Sequence, residues 1–135
     1  MSQPPILQGR RLLIADDEKA FVKMISLFLR QAGAEVLVAH DGAEAFRIAN
    51  LSALDAIIMD LQMPGTSGIE AIRSLRLIAP RIFIAVLTGF PCEEIFAEAR
   101  EAGADMCAAK AESMSQIIAA LAAALNKRDE ERKNA

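Results

Sequence analysis

Aromatic residues, cysteine and histidine are scarce in this chain of 135 residues, which has six Phe, no Trp, no Tyr and a single His. The core must therefore be aliphatic, built from Ile, Leu, Val, Met and Ala. Cys92 and Cys107 lack the spacing of a zinc site, so we expect two reduced thiols. His40 follows a strand-like segment and is interpreted as a loop residue without a catalytic role.

Long apolar runs and an excess of basic residues are also absent. No apolar run reaches the roughly 18 residues needed to cross a bilayer. The first five residues lack the basic region and apolar stretch of a secretory signal. A net charge of -3 argues against a nucleic-acid surface. We therefore expect a cytoplasmic protein that binds neither membranes nor nucleic acid directly.

Strand-like and helix-like segments alternate five times, and 53% of the residues are hydrophobic, enough for one packed domain. The strand-like segments are residues 11–15, 35–39, 56–59, 81–87 and 106–109. The helix-like segments are residues 18–32, 41–50, 67–77, 91–103 and 113–127. This alternation predicts an α/β fold with parallel strands and right-handed crossovers.

Local signals support these boundaries. Asp41 and Ser67 each stand three residues before a Glu, the spacing of a capping box at a helix start. Gly33 and Gly103 terminate helices, and Pro91 is expected in the first turn of the fourth helix.

Polar residues follow four of the predicted strands. Asp16 and Asp17 follow the first, Asp60 follows the third, Thr88 ends the fourth and Lys110 follows the fifth. Since chemistry in parallel sheets gathers beyond the carboxyl ends of the strands, we expect these side chains to converge. Clustered carboxylates suit Mg²⁺, and a carboxylate can accept a phosphoryl group whose oxygens an ammonium and a hydroxyl would bind.

Each of these residues also has an ordinary interpretation. Asp16 or Asp17 could cap the following helix, and Asp60 could be a turn residue. Thr88 could satisfy a strand-end carbonyl, and Lys110 could be a surface lysine. The joint occurrence at four strand ends favours a functional site.

The pattern resembles the receiver domain of two-component response regulators over roughly residues 10–125. The resemblance rests on Asp16-Asp17-Glu18, on Asp60-Leu61-Gln62-Met63-Pro64 followed by Gly68, on Thr88-Gly89 and on Lys110. It implies a flavodoxin-like, doubly wound, five-stranded parallel sheet of order 2-1-3-4-5 with five helices. The receiver domain would span residues 10–126, between an N-terminal extension (1–9) and a charged C-terminal tail or linker start (127–135).

The resemblance also implies a site. Asp60 would accept a phosphoryl group from a histidine kinase or phosphotransfer protein. The Mg²⁺ site, which could also take Mn²⁺, would comprise Asp16 (mainly through water), Asp17, Asp60 and the backbone carbonyl of Gln62. The residues that hold the phosphoryl group would be Thr88, Gly89 and Lys110.

The function implied is signalling rather than enzymatic turnover, since the domain would assist only its own phosphorylation and dephosphorylation. Phosphorylation would alter an output surface on the last two helices for an unidentified protein target. The Ala-rich segment 119–124 would also permit a phosphorylation-dependent homodimer.

Two positions depart from the family pattern, and two others are candidates for tuning. Cys107 replaces an inward-turning aromatic residue, which indicates a core cysteine or a different switching route. Ala111 replaces a proline, which predicts a trans Lys110–Ala111 bond because a cis bond costs about 2.5–4 kcal/mol here. Gln62 and Phe90 could influence the rate at which water hydrolyses the acyl phosphate. The bulky Phe90 either slows this hydrolysis or is an aromatic residue of the loop without such a role.

Other functions stay open. An unphosphorylated pseudo-receiver that only recruits partners is compatible with Cys107 and Ala111, although the complete site argues against it. An Asp-based phosphatase would need a second Asp at position 62, where this chain has Gln, and more chain for a substrate cap. A flavodoxin-type cofactor binder would need a phosphate-binding loop after the first strand.

Overall fold

Five parallel strands form the central sheet of the computed structural model, which describes residues 5–63 and 65–134. The strands of this sheet are β1 (Arg11–Ala15), β2 (Glu35–Ala39), β3 (Ala56–Met59), β6 (Phe83–Thr88) and β7 (Met106–Ala109). Two further strands, β4 (Gln62–Met63) and β5 (Thr66–Ser67), form a separate antiparallel ladder that was not predicted. The spatial order β2-β1-β3-β6-β7 is the predicted order 2-1-3-4-5 once the strands of the main sheet are counted alone.

Five helices cover both faces of the sheet. They are α1 (Lys19–Gln31), α2 (Gly42–Leu51), α3 (Gly68–Ile78), α4 (Glu93–Ala102) and α5 (Met114–Lys133). In the described residues, none of these helices has the length and apolar character to cross a bilayer.

The alternation of side chains along β1 divides the core into two clusters. Leu12 and Ile14 pack with residues of α1 and α5, whereas Leu13 packs with residues of α2, α3 and α4. Successive residues of a strand point to opposite faces, so a strand buried on both sides is apolar throughout. The fold is therefore doubly wound, as predicted.

The first turns of the helices confirm two predicted caps and correct one prediction. The Asp41 side chain accepts a hydrogen bond from the Glu44 N–H at 2.8 Å, and Ser67 accepts from the Glu70 N–H at 3.5 Å. The placement of Pro91 inside the fourth helix was wrong, because α4 begins at Glu93. Cys92 adopts the extended backbone of an N-cap and its Sγ accepts from the Ile95 N–H, so Pro91 lies before the cap.

The predicted flanking segments are partly built into the fold. The α5 helix runs to Lys133, and Arg10 ties it down by donating to Asp129 Oδ2 at 2.7 Å. Leu7 is 1% exposed and its N–H donates to the Ala32 carbonyl at 2.8 Å. Of the residues assigned to these segments and to the motifs, 1–4, 64 and 135 lie outside the described residues.

Gly68 brings the start of α3 against the loop that follows Asp60. A Cβ at this position would lie 2.5 Å from Leu61 Cα and 2.6 Å from the Leu61 carbonyl oxygen. Real Cβ atoms do not approach backbone so closely, so only glycine allows this contact. Gly68 therefore helps to fix the backbone between Asp60 and Gln62.

The substitution Gly68→Ala tests this role. Helix propensity alone would favour Ala by up to about 1 kcal/mol. We expect instead a loss of about 1–3 kcal/mol in the free energy of unfolding, because the added methyl group displaces the Leu61 backbone. Urea denaturation measures the change, with Gly89→Ala as the control, since a Cβ there meets no atom within 4 Å. A Gly68→Ala variant as stable as wild type would contradict the steric argument.

Candidate functional site

Three aspartates converge beyond the carboxyl ends of β1 and β3. The two strands are neighbours, and the Asp60 N–H donates to the Ala15 carbonyl at 3.1 Å. Asp16 and Asp60 are buried, with 2% and 6% of their surface exposed, whereas Asp17 is exposed. One carboxylate oxygen from each of the three lies within 4.8 Å of the others.

Lys110 links the two buried carboxylates. Its Nζ lies 2.8 Å from Asp16 Oδ2 and 2.8 Å from Asp60 Oδ2, and 3.6 Å from Glu18 Oε2. The same ammonium sits 4.6 Å from the centre of the Phe21 ring, a favourable cation–π contact. The loop carrying Lys110 is anchored on the neighbouring strand, since the Lys110 N–H donates to the Thr88 carbonyl at 2.9 Å.

Burial and pairing have opposite effects on the charges in this pocket. Burial raises the pKa of Asp16 above its ordinary value, and the hydrogen bond from Lys110 offsets part of that rise. Burial alone would lower the pKa of Lys110, but its hydrogen bonds and attraction to Asp16 and Asp60 together raise it. Lys110 therefore stays charged.

The donor set fits a hard divalent cation. The three clustered carboxylates outnumber the one lysine ammonium, which leaves an excess of two negative charges. The group contains only carboxylate oxygens, without Cys or His, which suits Mg²⁺ or Mn²⁺ rather than zinc. Gln62 is positioned beside them, because its N–H donates to Asp60 Oδ1 at 3.1 Å.

The predicted phosphate-binding residues lie at the same edge of the sheet. Thr88 ends β6, the strand beside β3, and is 2% exposed. Its Oγ1 accepts a hydrogen bond from the Phe90 N–H at 3.2 Å. Gly89 has open space around its Cα, and the Phe90 side chain is 68% exposed.

The two positions that depart from the family pattern are accommodated without strain. Cys107 is half-buried against the cluster formed by α2, α3 and α4, and burial raises the pKa of its thiol. This packing favours the core interpretation. The described residues contain no cis peptide, so the Lys110–Ala111 bond is trans, as predicted. The Glu112 carboxylate steadies the loop by accepting from the Ala109 N–H at 2.7 Å.

Two contacts of Lys110 were missed by the sequence analysis. Glu18 enters the sequence analysis only as part of the motif Asp16-Asp17-Glu18, and Phe21 is not assigned to the site there. The signal that could have found Phe21 is its spacing, because it lies one helical turn after Asp17. His40 is on the surface, 3.6 Å from Glu44 and away from the acid cluster.

A family model and known proteins match this architecture. The model described as "Response regulator receiver domain" matches residues 12–122. The transcriptional regulatory protein PdtaR of Mycobacterium tuberculosis is 38% identical over 121 residues, which are 87% of this chain and 58% of that protein. The chain thus spans less than two thirds of the length of this relative.

Solved structures agree with the fold. A CheY-like receiver domain from Methanospirillum hungatei has a TM-score of 0.86, with 22% identity and coverage of 90% of this chain and 98% of that one. A Burkholderia pseudomallei response regulator was solved with a phosphorylated aspartic acid, calcium and citrate. It has a TM-score of 0.80 and 29% identity, and the match covers 92% of this chain and 73% of that one.

The chain belongs to the receiver domain family of response regulators. Receiver domains are phosphorylation-dependent signalling modules of two-component systems rather than typical enzymes, and they bind Mg²⁺ at an acidic pocket. They interact with histidine kinases and with downstream effectors.

Replacing Lys110 tests how far its ammonium holds the metal-free pocket together. We expect Lys110→Met to lower the free energy of unfolding by about 3 kcal/mol, because two buried carboxylates lose their shared partner. Adding Mg²⁺ should reduce the difference in the free energy of unfolding between wild type and Lys110→Met, since a divalent cation can compensate the same carboxylates. Urea denaturation with and without Mg²⁺ measures both effects.

The exposed Lys23 on α1 provides the control for this experiment. Lys23→Met should change stability by no more than about 0.5 kcal/mol and should not respond to Mg²⁺ more than wild type does. Equal effects of the two substitutions would mean that the contacts of Lys110 contribute little to the fold.

Proposed function

We propose that Asp60 accepts a phosphoryl group from a histidine kinase or phosphotransfer protein and that the chain is a phosphorylation-dependent switch. The observation that supports this most is the position of the Asp60 carboxylate, 2.8 Å from Lys110 Nζ and clustered with Asp16 and Asp17. The related Burkholderia protein contains a phosphorylated aspartic acid, which supports the same chemistry here.

The chemistry is a direct transfer. An oxygen of the Asp60 carboxylate attacks phosphorus, the bond between phosphorus and the donor's nitrogen or oxygen breaks, and an acyl phosphate forms. The N–H of Gln62 holds Asp60 Oδ1 at 3.1 Å and so orients the nucleophile. Lys110 brings a positive charge to the phosphoryl oxygens, and the Thr88 hydroxyl and the backbone at Gly89 complete their binding.

The residues that would hold Mg²⁺ are Asp17, Asp60 and the backbone carbonyl of Gln62, with Asp16 acting mainly through water. Bound there, Mg²⁺ would neutralise charge on the transferring phosphoryl group. Mn²⁺ could replace it, since both ions prefer oxygen ligands. The excess of two negative charges in the pocket is the feature of this chain that supports the assignment.

Phosphorylation would give Lys110 and Thr88 new partners. It adds roughly one negative charge and new acceptor oxygens to Asp60. Lys110 would exchange its bond to Asp60 Oδ2 for a phosphoryl oxygen, and the Thr88 hydroxyl would donate to another. Lys110 lies in the loop that leads to α5, and Thr88 ends the strand that precedes α4. The faces of these two helices therefore form the output surface for a downstream protein or for a second copy of the chain.

The substitution Asp60→Asn tests whether Asp60 is the residue that accepts the phosphoryl group. We expect wild type incubated with Mg²⁺ and acetyl phosphate to gain one phosphoryl group, as an acid-stable, base-labile adduct. The Asp60→Asn variant should gain none, because an amide lacks the nucleophilic carboxylate. Intact-protein mass spectrometry measures the adduct, and omission of Mg²⁺ should suppress it in wild type.

Asp41→Asn is the matched control, since Asn also caps helices well. It should be labelled like wild type. A folded wild-type protein that stays unlabelled by acetyl phosphate, phosphoramidate and a histidine kinase would favour the pseudo-receiver alternative. Turnover of phosphorylated metabolites would instead favour a phosphatase.

The lifetime of the phosphorylated form tests the tuning role of Phe90. We expect Phe90→Ala to shorten the half-life of the adduct by a few-fold to about tenfold, equivalent to about 1 kcal/mol off the barrier, because a bulky neighbour that impedes water is removed. The decay is followed after removal of the phosphodonor. Phe46→Ala, on α2, is the control and should leave the half-life of the phosphorylated form unchanged. An unchanged half-life in Phe90→Ala as well would mean that Phe90 is a loop residue with no role in hydrolysis.

A further inference from the structure

A second cleft lies at the end of the sheet opposite the aspartates. Its walls include Arg10 before β1, Asp55 before β3 and Ile82 before β6, together with the last turns of α5. It encloses about 350 Å³, within the range of small-molecule sites. Three strands lie between the two sites: β1, β3 and β6 are preceded by the cleft residues Arg10, Asp55 and Ile82 and lead at their carboxyl ends to Asp16, Asp60 and Thr88.

The charges in this cleft are unbalanced. Four arginines and two aspartates line it, an excess of two positive charges in a chain whose net charge is -3. Both aspartates are already engaged: Asp129 accepts from Arg10 at 2.7 Å, and Asp55 accepts from the Arg11 N–H at 2.8 Å. Within residues 5–63 and 65–134, no carboxylate lies within 4.0 Å of the remaining arginines, Arg81, Arg128 and Arg132.

Two of these guanidinium groups are held in place. Arg128 and Arg132 both donate to the Arg81 carbonyl, Arg132 at 3.0 Å. The Arg128 group also stacks 5.7 Å from the centre of the Phe83 ring. Burial and the nearby cations Arg132 and Arg76 lower the pKa of Arg128, and the carboxylates of Asp105 and Asp129 offset part of this effect. An anion beside Arg128 and Arg132 would further reduce the repulsion between these cations.

The remaining walls are largely apolar. Leu54, Pro80, Ile82 and Leu125 contribute to them. A site with apolar walls and a few fixed cations suits a ligand that carries an anionic group on an apolar body. A phosphomonoester carries about -1.5 to -2 charges at neutral pH, which matches the charge of the cleft better than one carboxylate does. Guanidinium groups bind phosphate oxygens in a fork geometry.

We propose that this cleft, with Arg128 and Arg132 as its principal contacts, binds a small phosphomonoester with an apolar body. The ligand would lie between the ends of α2 and α3 and the last turns of α5. Its residues are distinct from those around Asp60, so binding there does not require phosphorylation at Asp60.

Titration with phenyl phosphate, inorganic phosphate and benzoate tests the proposal. The protein is used without added metal and monitored by calorimetry and by amide chemical shifts in NMR. We expect 1:1 saturation by phenyl phosphate, weaker binding of inorganic phosphate and the weakest binding of benzoate. The amide shifts should change at Leu54, Ile82 and Arg132 and not at Asp60, Thr88 or Lys110.

Substitution of the arginines is the second part of the binding experiment. Arg132→Gln, at an exposed position, and Arg128→Gln should each weaken phenyl phosphate binding about tenfold or more, the loss of one strong charge-assisted contact. Arg30→Gln, on the surface of α1, removes the same charge elsewhere and should leave the affinity unchanged. Thermal melting identifies any variant that is misfolded.

Three outcomes would overturn the proposal. These are the absence of saturable binding, equal weakening by Arg30→Gln and Arg132→Gln, and shifts confined to the aspartate site. Benzoate binding as tight as phenyl phosphate would overturn the assignment of a phosphate ligand. None of these results depends on whether Asp60 can be phosphorylated.

Discussion

The contact of one ammonium with two buried carboxylates is the interaction on which the site depends. Asp16 and Asp60 are both nearly inaccessible to water, and neither could remain charged there alone at low cost. Lys110 Nζ lies 2.8 Å from each, so a single group compensates both. The contact joins β1, β3 and the loop after β7, which are distant in sequence, and it is made by the same atoms that phosphoryl transfer would use. The stability of the pocket and the proposed reactivity of Asp60 therefore depend on one set of contacts.

The topology of the sheet makes this contact possible. Because β1 and β3 pair in register, the residues that follow Ala15 and Met59 emerge side by side. On the other side of β3, the strands β6 and β7 place Thr88 opposite Ala109, and the Lys110 N–H bonds to the Thr88 carbonyl. A lysine has the reach to span the remaining distance, whereas a shorter side chain at position 110 would not. Gly68 adds a local constraint, since its contact with Leu61 fixes the loop that follows Asp60.

Much of the fold and of the site could be predicted from the sequence, and the same physical rules explain which predictions failed. Buried parallel strands are continuous apolar runs, so the ends of β1, β3 and β6 were visible, and the polar residues there had to share an edge. The double contact of Lys110 could not be predicted, because it depends on side-chain reach rather than on pattern. The error at Pro91 arose because proline suits both the first turn and the residues just before a helix. The mixed charges of residues 127–135 suit a solvated helix end as well as a tail or a linker, so the sequence left these alternatives open. In the structure α5 runs to Lys133, and Arg10 and Arg132 tie its last turns to the amino ends of the strands.

The helix α5 connects the two ends of the molecule. It begins four residues after Lys110, and its twenty residues extend about 30 Å to the cleft, where they carry Arg128 and Arg132. The helix α5 is uninterrupted from Met114 to Lys133, and it packs along one side through Ile117, Leu121 and Leu125. Any displacement of α5 that follows a new position of Lys110 would therefore also move these arginines relative to the Arg81 carbonyl. The acidic and basic ends of the sheet are thus connected by one helix, which begins four residues after Lys110 and carries Arg128 and Arg132 in its last turns.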